Sequence, residues 1–453
     1  MNRLQITDNH HDWKCIQECF VGDTSFGGEE LDKAKKDLGR IANLKIGELG
    51  LEDNPNLLVF PRDLHQHGDK ISESHIISMR DDMISTGNIM GFVGVNDTQL
   101  DIKSRFAKED GNDYFLHYML QKVFAINLFD IKHTTNKQPI FDFLLYLFPY
   151  YLKKALAQGL FKKYRRFEHN DANIRGPINI SRHIRENIPF RGTVAYTTRE
   201  HSYDNEITQL VRHTIEYIRT KQHGAGILNN DLETKESVSQ IVMATSTYNV
   251  RERSRVINRN LRPIKHPYYS EYTPLQKICL QILRHESLKY GHEKDKIYGI
   301  LFDGAWLWEE YLSIVLKTKY NHFLKNKGKM FYLFKDPKRQ QIIPDYIAKD
   351  ESAVADAKYI PINKHNSYYE DSQHATAIYY KTITYMFRFN MKKGYLFYPH
   401  PEDGTPKKEE LIVDGKSDGL LIKYGLLIPS GFNNFNEFVG EMFKSERAFL
   451  SEL

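Results

Sequence analysis

The chain has 453 residues, a formal net charge of +5 and an apolar share of 41%, which supports packed cores in two or three domains on the usual scale of roughly 100–200 residues each. The small excess of base is compatible with a polyanionic partner without demanding one. Only Cys15, Cys19 and Cys279 occur, which excludes a disulfide framework and fits a reducing cytoplasm.

The N-terminal segment MNRLQITDNHHDWK has no apolar signal core, so the expectation is a soluble cytoplasmic protein with no membrane part. Residues 56–60, 88–95 and 98–104 read as strands. The pair Asn96-Asp97 makes a tight turn between the last two. Residues 113–125 carry apolar side chains at helical spacing. Residues 1–135 thus form a β-rich region. Residues 136–292 read as a helical middle domain, with helices at 140–158 (bent at Pro149), 203–221, 235–247 and 274–286. The most apolar run, 140–152, is too short to span a bilayer and contains Asp142 and Pro149. Residues 162–192 form a basic, irregular connection with Gly176, Pro177 and Pro189. Residues 293–453 change character: a helix at 303–317, strands at 330–335, 340–348 and 353–360, a helix at 371–387 and a strand at 394–399. The order helix, three strands, helix, strand makes the whole an α+β or α/β multidomain protein. No internal repeat or low-complexity tract occurs.

The residues with chemistry lie in this last region. Lys349, Asp350, Glu351 and Ser352 are turn-type residues between two strands. A hairpin centred there places Asp345 opposite Asp356, with Cβ atoms about 5 Å apart. Two carboxylates that close repel unless a cation lies between them. Lys358 shares a sheet face with Asp356 because strand side chains alternate. Hard carboxylate oxygens suit Mg²⁺ (or Mn²⁺), and such an ion promotes phosphodiester hydrolysis. Lys358 is suited to orient the attacking water or to neutralise the phosphate. A surface hairpin with incidental charges is the plainer alternative. Glu309 and Glu310, about 100° apart on the preceding helix, are both candidates for a third metal ligand. Gln373, opening the next helix, is placed to bond the lysine or a phosphate.

Two basic runs are candidates for contacting double-stranded DNA: Arg251, Arg253 and Arg255, and Lys162, Arg165 and Arg166. Arginine clusters suit phosphates, although such runs also serve as solvated faces. Cys15 and Cys19 lie near His10 and His11, but their spacing does not match the usual zinc pairs, so they read as half-buried helix thiols. No P-loop, G-x-S-x-G elbow or H-E-x-x-H motif is present.

Taken in order, these motifs resemble the McrC family, the nuclease subunit of McrBC-type restriction systems. Leu307–Leu312 (LWEEYL) resembles the family's L-F-E-x-(F/Y)-(V/L) motif and so selects Glu309. Ile343-Pro344-Asp345 resembles its P-D strand and Asp356-Ala357-Lys358-Tyr359 its D-(A/T)-K-Y strand. The segment from Gln373 is similar to its Q-L-L-x-Y helix, with His374-Ala375-Thr376-Ala377 replacing the usual residues. Upstream, residues 91–106 resemble a G-(Y/F)-(V/I)-G…I-x-P-K element, with Ser104-Arg105 for the proline and lysine. Ile174-Arg175-Gly176 resembles an L-R-G element, and residues 203–206 a D-T-x-x-N helix start. The resemblance implies a C-terminal restriction-endonuclease-like PD-(D/E)xK core at 293–453, and an N-terminal region that docks into a ring of McrB-like AAA+ GTPase subunits. It also implies GTP used only through that partner, and DNA cleaved after translocation. Some relatives belong to LlaJI-like systems. A stand-alone PD-(D/E)xK nuclease and a non-cleaving DNA-binding or activator subunit are the alternatives.

Overall fold

Alternating apolar residues on either side of Asn96 set the first sheet. Ile89–Val95 and Thr98–Lys103 pair antiparallel, with Val95 opposite Thr98. Asn96 turns the chain at a φ of 53°, a left-handed conformation that asparagine tolerates. Asn2–Thr7 joins Thr98–Lys103 in parallel. Ile297–Asp303 lies on the other side, antiparallel to Ile89–Val95 and parallel to Leu57–Phe60. Gly91 permits this approach: a Cβ there would lie 2.1 Å from the carbonyl oxygen of Ile300.

These relations come from a computed structural model, which describes residues 2–9, 12–21, 28–49, 57–61, 71–96, 98–107, 113–124, 139–221, 224–229, 231–288, 297–322, 331–360, 373–401, 407–413 and 416–453. The chain is a mixed α and β protein that divides into two compact units, Met1–Asn127 with Glu293–Leu453, and Leu128–His292. The N-terminal and C-terminal regions of the sequence reading therefore share a unit, and the Ile297–Asp303 strand ties them.

The second sheet of this unit has six strands. In spatial order they are Tyr320–His322, Tyr346–Ala348, Ala353–Ala357, Lys393–His400, Lys416–Leu427 and Lys407–Val413. Ala353–Ala357, Lys393–His400 and Lys416–Leu427 run parallel. Buried parallel strands read as near-continuous apolar runs, as GYLFYP at 394–399 does. The helix Gln373–Phe389 packs on the first two of these strands. The helix Gly304–Val315 starts where the Asp303 carboxylate accepts the backbone N–H of Trp306 at 2.7 Å, an N-cap.

A buried polar knot joins that helix to Tyr114–Phe124 and Phe435–Ser451. Glu446, 6% exposed, accepts the hydroxyls of Tyr118 at 2.8 Å and Tyr311 at 2.7 Å, with the Lys122 ammonium at 3.3 Å. These bonds satisfy a carboxylate that would otherwise be costly to bury.

In the Leu128–His292 unit, the helices Pro139–Ala157 and Glu206–Arg219 pack against Tyr272–Leu288. Leu232–Ala244 packs on the first two. The Glu206–Arg219 helix starts later than residue 203 because Asn205 caps it: its Oδ1 accepts the N–H groups of Ile207 and Thr208. The middle is not wholly helical. Much of the segment expected to be irregular is a two-stranded ribbon, Lys163–Asp171 antiparallel to Val194–Ser202, with the short helix Ile180–Asn187 between its strands. Its first strand, KYRRFEHND, is charged on both faces, so no apolar alternation marks it.

Two further expectations are corrected. Residues 340–348 are not one strand. Pro344 cannot donate to a ladder, and the run splits into Arg339–Ile342, which pairs with Phe331–Phe334, and Tyr346–Ala348, which pairs with Ala353–Ala357. Cys15 and Cys19 are not helix thiols in an α-helix: Cys15 lies in a two-residue strand and Cys19 in the following 3₁₀ turn. Among the described residues, no helix is long and apolar enough to cross a membrane.

Candidate active site

The hairpin register is the one its turn residues predict. Tyr346 lies opposite Ala355 and Ile347 opposite Val354, so Asp345, one residue before its strand, faces Asp356. Its Oδ2 accepts the backbone N–H of Ala357 at 2.7 Å. Pro344 is buried just before it, and the Tyr385 hydroxyl donates to the carbonyl of Ile343 at 2.8 Å. The carboxylate of Asp345 is therefore held from the facing strand, and the backbone before the strand break by Tyr385.

Asp356 is fully buried on the strand beside Leu396. Lys358 Nζ lies 2.6 Å from its Oδ2 and Lys381 Nζ 3.2 Å from its Oδ1. Among the described residues no backbone N–H or hydroxyl donates to either oxygen. Burial opposes the charge on Asp356, but Lys358 and then Lys381 outweigh it and hold its carboxyl below the usual range. Burial opposes the charge on Lys358 as well, and Asp356 more than offsets that, raising the ammonium's pKa. Asp345 goes the other way. Burial, then the charges of Asp356 and Glu309, push its carboxyl well above the usual range. The two carboxyls are thus pushed in opposite directions, as expected of a close acidic pair.

Glu309 stands on the Gly304–Val315 helix within electrostatic reach of Asp345. Its carbonyl accepts the Tyr346 hydroxyl, while its Oε1 lies 2.9 Å from His322 Nε2. Among the described residues no three His, Cys, Asp or Glu side chains converge on a single metal-binding point. Gln373 is the first residue of the Gln373–Phe389 helix, and its side chain lies outside the described residues. Tyr359, the last residue of the D-A-K-Y segment, is buried beneath the Arg105 guanidinium at 4.3 Å and donates to Met90 Sδ at 3.4 Å. Arg105 in turn faces the buried Asp8, its Nη1 lying 3.4 Å from Oδ2.

Lys381 and His322 join this site without a signal in the motif spacing. Lys381 comes from the middle of the next helix and His322 from an edge strand. A lysine inside the mostly apolar run IYYKTIT is the only cue. Two hard carboxylates side by side, Asp345 held by a backbone N–H and Asp356 by two ammonium groups, are a donor set that fits a divalent cation such as Mg²⁺ or Mn²⁺.

The basic candidates are all in the Leu128–His292 unit. Arg251 is exposed, Arg255 pairs with Glu252 at 2.9 Å, and the Arg253 guanidinium covers the Tyr217 ring at 5.4 Å. Lys162 covers Tyr203 at 4.9 Å, Arg165 donates to the Asp204 carbonyl at 3.0 Å, and Arg166 is exposed on the ribbon.

The family model described as McrBC 5-methylcytosine restriction system component matches residues 84–399, more than half of the chain. Two solved structures from Thermococcus gammatolerans are similar at low identity. The half-complex from a tetradecameric assembly of McrB AAA+ hexamers with bound McrC has 15% identity and a TM-score of 0.43, covering 99% of each chain. The cryo-EM structure of the McrBC complex has 16% identity and a TM-score of 0.29, covering 73% of this chain and 90% of that one. No curated protein matches the chain.

Proposed function

The chain belongs to the McrBC family of restriction-system components, and from that premise we propose that it is the family's Mg²⁺-dependent DNA endonuclease subunit, acting with an McrB-like AAA+ GTPase ring. The observation that carries this reading is the buried Asp356 carboxylate with Asp345 beside it and Lys358 and Lys381 upon it. In this reading Asp345, Asp356 and Glu309 hold the divalent cation. When bound, that ion supplies positive charge for the developing phosphorane oxygens and lowers the pKa of a water. Lys358 keeps its proton and presents a compact charge to the scissile phosphate or the attacking water. Asp345, whose carboxyl burial and the neighbouring carboxylates push up, would offer its oxygens to that cation when it is bound. Glu309 would supply the third carboxylate to the ion, and Gln373 would bind Lys358 or a phosphate. The fold around them is the PD-(D/E)xK core, in a cytoplasmic protein. The region before about residue 130 docks the GTPase, and GTP is bound by the partner alone.

A second reading is an activator subunit with a lapsed nuclease, and it draws on Glu309 resting on His322 at 2.9 Å. One experiment separates the two. DNA cleavage is measured with and without the neighbouring gene's GTPase, GTP and Mg²⁺, for the native chain and for Asp356→Ala. The nuclease reading expects cutting only in the complete mixture, and Asp356→Ala to lose cutting while still stimulating GTP hydrolysis. Native chain that stimulates hydrolysis and never cuts would overturn it.

A further inference from the structure

The Leu128–His292 unit holds a cavity of about 510 Å³, lined by one end of the ribbon and by the loop after the Arg253–Arg259 helix. Basic residues from two stretches about 100 residues apart in sequence, 162–163 and 259–265, meet here, whereas Arg251, Arg253 and Arg255 do not line it. Five cationic side chains line it, Lys162, Lys163, Arg259, Arg262 and Lys265, against the one carboxylate of Glu206, which Lys163 already pairs at 3.2 Å. Among the described residues Arg262 and Lys265 have no carboxylate partner. The loop that presents them is fastened from within: the buried Gln276 donates to the carbonyls of Asn260 and Arg262 and accepts the N–H of Ile264 at 2.9 Å. The backbone of this wall is therefore built, while its cations stay exposed.

The ribbon wall is aromatic. Tyr164, 58% exposed, lies over His201 with ring centroids 3.8 Å apart. One step along the same face, Arg166 stands opposite Arg199 in the ladder. Like charges directly opposed across strands are destabilising, and among the described residues neither arginine has a carboxylate partner. An anion that binds both would offset that cost. Aromatic faces beside unneutralised cations suit a nucleotide, with its base on the ring and its phosphate on the cations. The cavity falls in the usual range of about 300–1,000 Å³ for small-molecule sites.

We propose that this cleft and the adjoining ribbon face bind a short stretch of unpaired DNA strand, one nucleotide stacked at Tyr164 and its neighbouring phosphates on Arg166, Arg199, Arg259 and Arg262. The assignment rests on the DNA-cleaving reading above for its choice of DNA, and on the cleft alone for its chemistry. Contacts of this kind hold the strand without reading its bases.

The test is fluorescence anisotropy of a labelled single-stranded oligonucleotide with the full chain over a range of salt. Arg166→Glu with Arg199→Glu, and separately Arg259→Glu with Arg262→Glu, should each weaken binding at least about tenfold and flatten the salt slope by roughly 0.7 for every phosphate no longer neutralised. Tyr164→Ala should weaken the single strand roughly tenfold and duplex much less. Arg→Gln versions serve where a charge reversal lowers the melting temperature. Unchanged affinity and slope in folded variants would overturn the cleft. Displacement of the oligonucleotide by GTP or a free mononucleotide at matching concentration would also overturn it, in favour of a free-nucleotide pocket. Asp356→Ala should bind the strand as the native chain does. A native chain that binds here and never cuts would refute the nuclease reading and leave the cleft standing, while normal affinity in the cleft variants of a chain that cuts would refute the cleft alone.

Discussion

In the unit made of Met1–Asn127 and Glu293–Leu453, carboxylates go inside: Asp8, Asp356 and Glu446 are each less than a tenth exposed, and each has dedicated partners. In the Leu128–His292 unit the cations Arg166, Arg199 and Arg262 stay in solvent, while His213 is buried with neither ring nitrogen hydrogen-bonded among the described residues. Burying a charge costs several kcal/mol unless it is paired, whereas an exposed one costs little. Interior carboxylates therefore mark places where geometry is held for chemistry or for joining elements. Exposed, unpaired cations mark a surface kept ready for a ligand that comes and goes.

The sharpest way to break this contrast is at Asp356. Asp356→Ala and Lys358→Ala should each lower cleavage on the order of 10³-fold with the oligonucleotide affinity unchanged. Cleavage within a few-fold of native in either variant would remove the site from the chemistry. Next in size is the polar knot. Glu446→Leu leaves the Tyr118 and Tyr311 hydroxyls and Lys122 without their acceptor, and should cost about 3 kcal/mol, read as a lower urea midpoint at constant slope. A midpoint shifted by less than a third of that would mean that the knot is replaceable by packing.

The pH dependence should have opposite signs in the two units. Burial raises the Asp8 carboxyl from 3.8 to about 6, against the pull of Arg105. The folded chain thus holds a proton that the unfolded chain has released. This contribution is fully present below about pH 4 and is lost as pH rises through 6, on the order of 3 kcal/mol. His213 is lowered from 6.5 to about 4 by burial, with Arg253 and Arg212 adding to it. Its contribution is present above about pH 6.5 and is lost as pH falls through 4. Urea midpoints between pH 4 and 7 should rise more steeply with pH in Asp8→Asn than in native chain, and less steeply in His213→Phe. Parallel profiles would contradict both assignments. Smallest of all, Arg251→Glu lies outside the cleft lining and should change stability by no more than about 0.5 kcal/mol and the salt slope by less than either cleft pair.

The hairpin around Asp350 was legible because its turn residues are distinctive, and the position of that turn alone sets Asp345 against Asp356. The helix at 114–124 followed from apolar spacing. Lys381 and His322 were not legible, because side chains that reach a site from another helix or an edge strand leave no fixed interval in sequence. The Lys163–Asp171 strand was hidden by charge on both its faces. Nothing in the local pattern of YGILFD at 298–303 says that its partners are Leu57–Phe60 and Ile89–Val95, some 200 residues earlier.

That long separation has a consequence for synthesis. A ribosome working at roughly 5–20 residues per second needs about 10–40 s to travel from Val95 to Asp303. For that time the hairpin 89–103 has emerged but lacks the strand that covers its outer edge, and Gly91 waits for the carbonyl of Ile300. The Leu128–His292 unit emerges whole in the interval and can fold first. An open apolar edge is a template for pairing with other chains, so slowing translation within residues 128–292 should increase aggregation of the nascent protein more than the same pause after residue 303.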